Sequence, residues 1–90
     1  MKVLIIEDDY GLAELIKEKV EACGFQTESV QTADKAIKWL TENTPYLMIL
    51  DYSLPDMNGK EFISALQNRE HPIPPFIVST GQGEIGRAHV

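Results

Sequence analysis

Acidic residues that could do chemistry together stand at two places in this 90-residue chain. Glu7, Asp8 and Asp9 follow directly on the apolar run VLII at residues 3–6, and Asp51 follows directly on LMIL at residues 47–50. Each acid has an ordinary explanation by itself. Negative charge ahead of a helix is favoured by the helix dipole, by about a few tenths of a kcal/mol, and an aspartate can simply end a strand. Brought together, the acids mean more. Carboxylates a few ångströms apart repel and raise one another's pKa unless a cation neutralises them. The economical cation is a hard divalent ion held by oxygen, and magnesium suits one or two carboxylates completed by waters and phosphate oxygens. An ion among acids would also let Asp51 attack phosphorus and form an acyl phosphate, because charge on the transferring oxygens is offset. Thr80, just after the run FIVS at residues 76–79, adds a hydroxyl able to bond a phosphoryl oxygen. Its plain reading is a threonine entering the turn Gly81-Gln82-Gly83.

The elements decide whether these groups meet. VLII has strand length, and Leu12, Leu15, Ile16 and Val20 then recur at spacings of three and four, one helical stripe. Gly24 is a plausible stop. Residues 25–30 form a second, far more polar strand. Thr32 can cap a second helix with the stripe Ala33, Ala36, Ile37 and Leu40, which Asn43-Thr44-Pro45 breaks. Residues 46–50 form a third strand ending at Asp51. Asn58 with Glu61 three residues on reads as a capping box opening a third helix through Phe62, Ile63 and Leu66. After a proline-rich connection, residues 76–79 form a fourth strand.

Strand–helix alternation implies right-handed crossovers and a parallel sheet. Parallel strands buried on both faces read as unbroken apolar runs. The first, third and fourth do, and the polar second strand belongs at an edge. The expected fold class is therefore α/β, a doubly wound parallel sheet of order 2-1-3-4. Its topological switch lies between the first and third strands, and the crevice of such a sheet opens at the carboxyl ends there. Glu7, Asp8 and Asp51 fall at that crevice.

Composition narrows the partners. Hydrophobic residues make up 43% and charged residues 24%, which suits one small globular domain. Fourteen acids against eight Lys and Arg give a net charge of −6, which repels phosphate backbones and argues against direct nucleic-acid binding. No apolar run approaches the roughly 18 residues of a membrane span, and no secretory signal opens the chain. The single cysteine, Cys23, excludes an internal disulfide and fits a reducing compartment. The expectation is a cytoplasmic domain without membrane or nucleic-acid contact.

The run KVLIIEDD, then LMILDYSLPDMNG, then PFIVSTG resembles the receiver domain of two-component response regulators across residues 2–84. The middle motif is the specific one: an apolar strand, Asp51, Leu54-Pro55-Asp56-Met57, and Gly59 eight residues after the aspartate. The resemblance implies a flavodoxin-like fold of receiver type and a phosphorylation-dependent switch. It implies that Asp51 is the phosphoacceptor, that Asp8 holds Mg2+ directly, and that Glu7, where many members have Asp, holds it through water. It assigns the Ser53 backbone carbonyl as a further metal ligand and Thr80 as the switch hydroxyl. Ser53 and Gln82 occupy positions that influence acyl-phosphate lifetime. The implied donor is a histidine kinase or histidine phosphotransfer protein. Such a domain promotes its own phosphoryl transfer and is not an enzyme in its own right.

The chain departs from the family at its end. A full receiver adds a fifth strand, normally carrying a phosphoryl-binding lysine, and two more helices, none of which has a counterpart here. Residues 85–90, IGRAHV, read as the translation of ATC GGA AGA GCA CAC GTC, the start of a common short-read sequencing adapter. The expected organisation is thus a partial receiver domain over residues 1–84 and a non-native tail over residues 85–90. Without the fifth strand, Phe76, Ile77 and Val78 are expected to form an open apolar edge.

Two other classes share the sheet. An aspartate-nucleophile phosphohydrolase typically places a second Asp two residues after the nucleophile, where this chain has Ser53. A flavodoxin-like cofactor carrier needs a phosphate loop after the first strand, where Glu7-Asp8-Asp9 would repel phosphate. Trp39 reads as partial core packing, and His71 and His89 lack metal-ligand spacing. Leu12 and Leu15, near the start of the first helix, are candidate contacts for the histidine-bearing protein.

Overall fold

The computed structural model describes residues 1–79 and the backbone of residues 85–88. Its elements run β1 (Lys2–Ile6), α1 (Tyr10–Ala22), β2 (Gln26–Val30), α2 (Ala33–Leu40), β3 (Leu47–Asp51), α3 (Gly59–Asn68), β4 (Phe76–Ser79) and β5 (Ile85–Ala88). They form one sheet of order β2-β1-β3-β4-β5. The pairs β1–β2, β1–β3 and β3–β4 are parallel, as the alternation of strands and helices requires.

Strand β1 shows why the sheet must be covered on both sides. Successive side chains of a strand point to opposite faces. Leu4 and Ile6 join the core under α2 and α3, with Ala33, Ala36, Met48, Leu50, Phe62 and Leu66. Val3 and Ile5 face the other way, onto Ala13, Ile16 and Val20 of α1. Each such fully buried aliphatic side chain contributes about 1.5–3 kcal/mol of transfer free energy. Strand β2 buries none of its residues and lies at the edge.

Each helix starts where its sequence offers an acceptor for the free N–H groups of the first turn. The Asp9 carboxylate accepts from the Leu12 N–H at 2.9 Å, and the Thr32 hydroxyl accepts from the Lys35 N–H at 3.1 Å. Asn58 and Glu61 close a reciprocal capping box at 2.8 and 2.9 Å. Helix α1 ends at Ala22 with Cys23 as its cap, and the chain then turns at Gly24, whose φ of +95° is a conformation side chains resist.

Two expectations are corrected. Leu15 does not share the buried stripe of α1 but is 48% exposed, because the helix meets the sheet through Ala13, Ile16 and Val20. The outer edge of β4 is not open either. Residues Ile85–Ala88 pair with it antiparallel, Phe76 opposite Ala88 and Ser79 opposite Ile85. A parallel partner would need a crossover of about a dozen residues, and only residues 80–84 intervene. The strand that fills the place of the missing parallel one is therefore a hairpin strand. The described residues include three α-helices, none of them long and apolar enough to cross a membrane.

Candidate functional site

Parallel pairing sets Ile6 beside Leu50, so the next residues, Glu7 just past β1 and Asp51 at the end of β3, stand side by side. Both are nearly inaccessible, at 3% and 7% exposure, while Asp8 is exposed. One carboxylate oxygen from each of Glu7, Asp8 and Asp51 lies within 4.8 Å of the other two. The three acids singled out from the sequence thus converge. Asp9, their neighbour, does not: it turns away to cap α1.

The cluster is electrostatically unsatisfied. Glu7 Oε2 accepts from the Asp9 backbone N–H at 3.0 Å, but Oε1 is buried with no hydrogen-bond partner among the described residues. Burial above all, with Asp51 adding repulsion against the help of the Asp9 N–H, pushes the Glu7 carboxyl up to about 7. Burial likewise raises Asp51, opposed by the Ser53 N–H, which donates to its Oδ1 at 3.3 Å. A buried acceptor without a donor, beside two more carboxylates, fits a small oxygen-preferring cation. The donor set is hard oxygen only, which favours magnesium over metals that prefer nitrogen or sulfur.

The loop leaving β3 is held in several places. Ser53 and Asn58 form an antiparallel bridge, and the Gly59 N–H donates to the Tyr52 carbonyl at 2.7 Å. Gly59, the first residue of α3, lies against Leu50 and Tyr52, whose atoms a Cβ there would meet at 3.4 Å, an ordinary van der Waals contact. The Tyr52 N–H donates to the Ser79 carbonyl at 2.9 Å, tying the same loop to the end of β4. Thr80 and Gln82 lie outside the described residues.

Asp56 was legible only as a loop residue. Its two oxygens accept from the Ala33 and Asp34 N–H groups at 3.0 and 2.9 Å, capping α2 from 23 and 22 residues away. Nothing in local sequence signals a contact at that separation.

The family model described as the response regulator receiver domain matches residues 3–89. The chain is 36% identical over 84 residues to the phosphate regulon transcriptional regulatory protein PhoB of Rhizobium meliloti, covering 92% of itself and 37% of that protein. It is 31% identical over 84 residues to sporulation initiation phosphotransferase F of Bacillus subtilis, covering 93% of itself and 67% of the relative. Among solved structures it resembles the MaeR response regulator bound to beryllium trifluoride, with 30% identity and a TM-score of 0.79, over 93% of this chain and 70% of that one.

Proposed function

Because the chain belongs to the response regulator receiver domain family, we propose that its acidic crevice binds Mg2+ and that Asp51 accepts a phosphoryl group there. The observation that carries this reading is the convergence of the Glu7, Asp8 and Asp51 oxygens within 4.8 Å around a buried, unpartnered Glu7 Oε1. Glu7, Asp8 and Asp51 would hold the ion together with the Ser53 backbone carbonyl. Bound there, it would offset the negative charge that gathers on a transferring phosphoryl group.

The protein's own groups do the rest. An Asp51 carboxylate oxygen attacks phosphorus, the bond from phosphorus to the donor's imidazole nitrogen breaks, and the imidazole leaves with that electron pair. The Ser53 N–H holds the other half of the geometry by fixing Oδ1. Thr80, next after Ser79 in the chain, is the proposed hydroxyl that answers the phosphoryl group. The donor is a histidine kinase or histidine phosphotransfer protein, and the exposed Tyr10 and Leu15 of α1 offer it an apolar contact. MaeR's structure with beryllium trifluoride supports a site suited to a small phosphoryl-like group. Whatever lies in the remaining length of relatives such as PhoB would receive the signal.

Incubating the protein with MgCl2 and acetyl phosphate, followed by intact-mass measurement, tests this. A labile gain of one phosphoryl group, absent without Mg2+ and absent in Asp51→Asn, is expected. A gain that persists in Asp51→Asn would place the chemistry elsewhere.

A further inference from the structure

Helix α2 is short, and its opening turn is satisfied in an unusual way. Thr32 supplies one side-chain acceptor, for the Lys35 N–H, and its carbonyl takes the Ala36 N–H. The two N–H groups left, of Ala33 and Asp34, are both taken by the carboxylate of Asp56. Charge-assisted bonds of this kind are roughly twice as strong as neutral ones, and the helix dipole adds to them. The Asp56 carboxyl is lowered accordingly: slight burial raises it, and the N–H groups of Ala33 and Asp34, with those of Asp56 and Met57, outweigh that.

The contact joins two loops that chain connectivity leaves independent. At its base, the loop after β3 is fastened by the Ser53–Asn58 bridge and by the Gly59 N–H on the Tyr52 carbonyl. Leu54, 8% exposed, packs into the same core as Ala33 and Ala36. Asp56 fastens the far end. Ser53 stands at the base of this loop, and its N–H reaches Asp51 Oδ1 at 3.3 Å. That is longer than the usual 2.7–3.2 Å, so a small shift of the loop is enough to lose it.

We propose that Asp56 is a positioning residue: by clamping the β3–α3 loop to the start of α2, it holds Ser53, and through it the Asp51 carboxylate, in the arrangement that binds magnesium. The proposal rests on the metal-site reading above. Groups that orient a ligand from behind typically change metal affinity about tenfold or more when removed.

Magnesium titration by calorimetry and amide exchange at Ser53 by NMR test it in six proteins. Asp56→Ala is expected to weaken Mg2+ binding about tenfold and to speed exchange at Ser53, and Asp56→Asn, which keeps one acceptor oxygen, to recover part of both. Thr32→Ala removes the other cap of the same helix, and Asp34→Asn removes a charge from the same place. Both controls are expected to stay within about twofold of wild type in Mg2+ affinity even where Thr32→Ala lowers the melting temperature. Wild-type affinity and Ser53 exchange in Asp56→Ala, or equal loss of affinity in either control, would overturn the clamp. If Asp8→Asn leaves magnesium binding intact, the metal-site reading fails instead. Ser53 exchange then still decides: faster in Asp56→Ala supports the clamp, unchanged overturns it.

Discussion

The acid cluster should make the metal-free protein less stable as pH rises, and the size of the effect follows from Glu7. Its carboxyl stands near 7 in the fold against an ordinary 4.5. Between those values the folded chain binds more protons than the unfolded one, so stability falls with rising pH. The contribution is fully present below about 4.5 and is lost as pH passes through 7. At 1.36 kcal/mol per pKa unit, the loss is about 3 kcal/mol. Coulomb's law supports the scale, since two charges no more than 4.8 Å apart repel by at least about 1 kcal/mol in water and at least about 3.5 kcal/mol at an effective dielectric constant of 20. For a domain this small, that corresponds to a melting temperature roughly 10–20 °C lower at pH 8 than at pH 4. The raised Asp51 carboxyl acts in the same direction. Thermal melts in EDTA across this range, on wild type and Glu7→Gln, isolate the group from every other titration. Wild type should lose stability relative to the variant as pH rises, and MgCl2 should restore it above pH 7. A difference between the two proteins that is flat, or that widens in favour of wild type, would refute the reasoning.

Two further outcomes follow from packing. Phe62→Ala empties a fully buried position under α3 and should cost about 3–5 kcal/mol, enough to abolish a cooperative melt at neutral pH without Mg2+; urea titration followed by Trp39 fluorescence reads it. Deleting residues 85–90 removes β5 from the outer edge of β4 and should convert the protein to a self-associating species, seen by size-exclusion chromatography with light scattering, because it bares the unpaired edge of an apolar strand.

Most of the fold was legible because its signals are local. Unbroken apolar runs fixed β1, β3 and β4 as interior strands, Thr32 and Asn58 marked helix starts by side-chain chemistry that acts within three residues, and Gly24 marked a helix end by the backbone freedom of glycine. What failed was tertiary. Leu15 lies on a good helical stripe, yet which part of the stripe is buried depends on where α1 crosses the sheet. The hairpin return of Ile85–Ala88 depends on an empty sheet edge, which no periodicity in IGRA announces. At the site, topology brought Glu7 and Asp51 together, but only side-chain geometry could separate Asp9, which caps α1, from Glu7 and Asp8.

The same contrast explains why the site needs supports at all. A cluster that disfavours the fold by about 3 kcal/mol survives only if the surrounding backbone over-determines it. Here the constraints are concentrated in the loops: Asp9 holds the start of α1 next to Asp8, the capping box holds α3, and Asp56 ties the β3 loop to α2. Anything that binds the folded form alone repays the strain in proportion to its occupancy. A ligand at a hundred times its dissociation constant adds about 2.7 kcal/mol, close to what Glu7 withholds at high pH. Cation affinity and fold stability are then two readings of one coupling and must change together by reciprocity. A variant that relieves the repulsion without the ion, such as Glu7→Gln, should therefore gain metal-free stability and give up a corresponding share of its stabilisation by Mg2+.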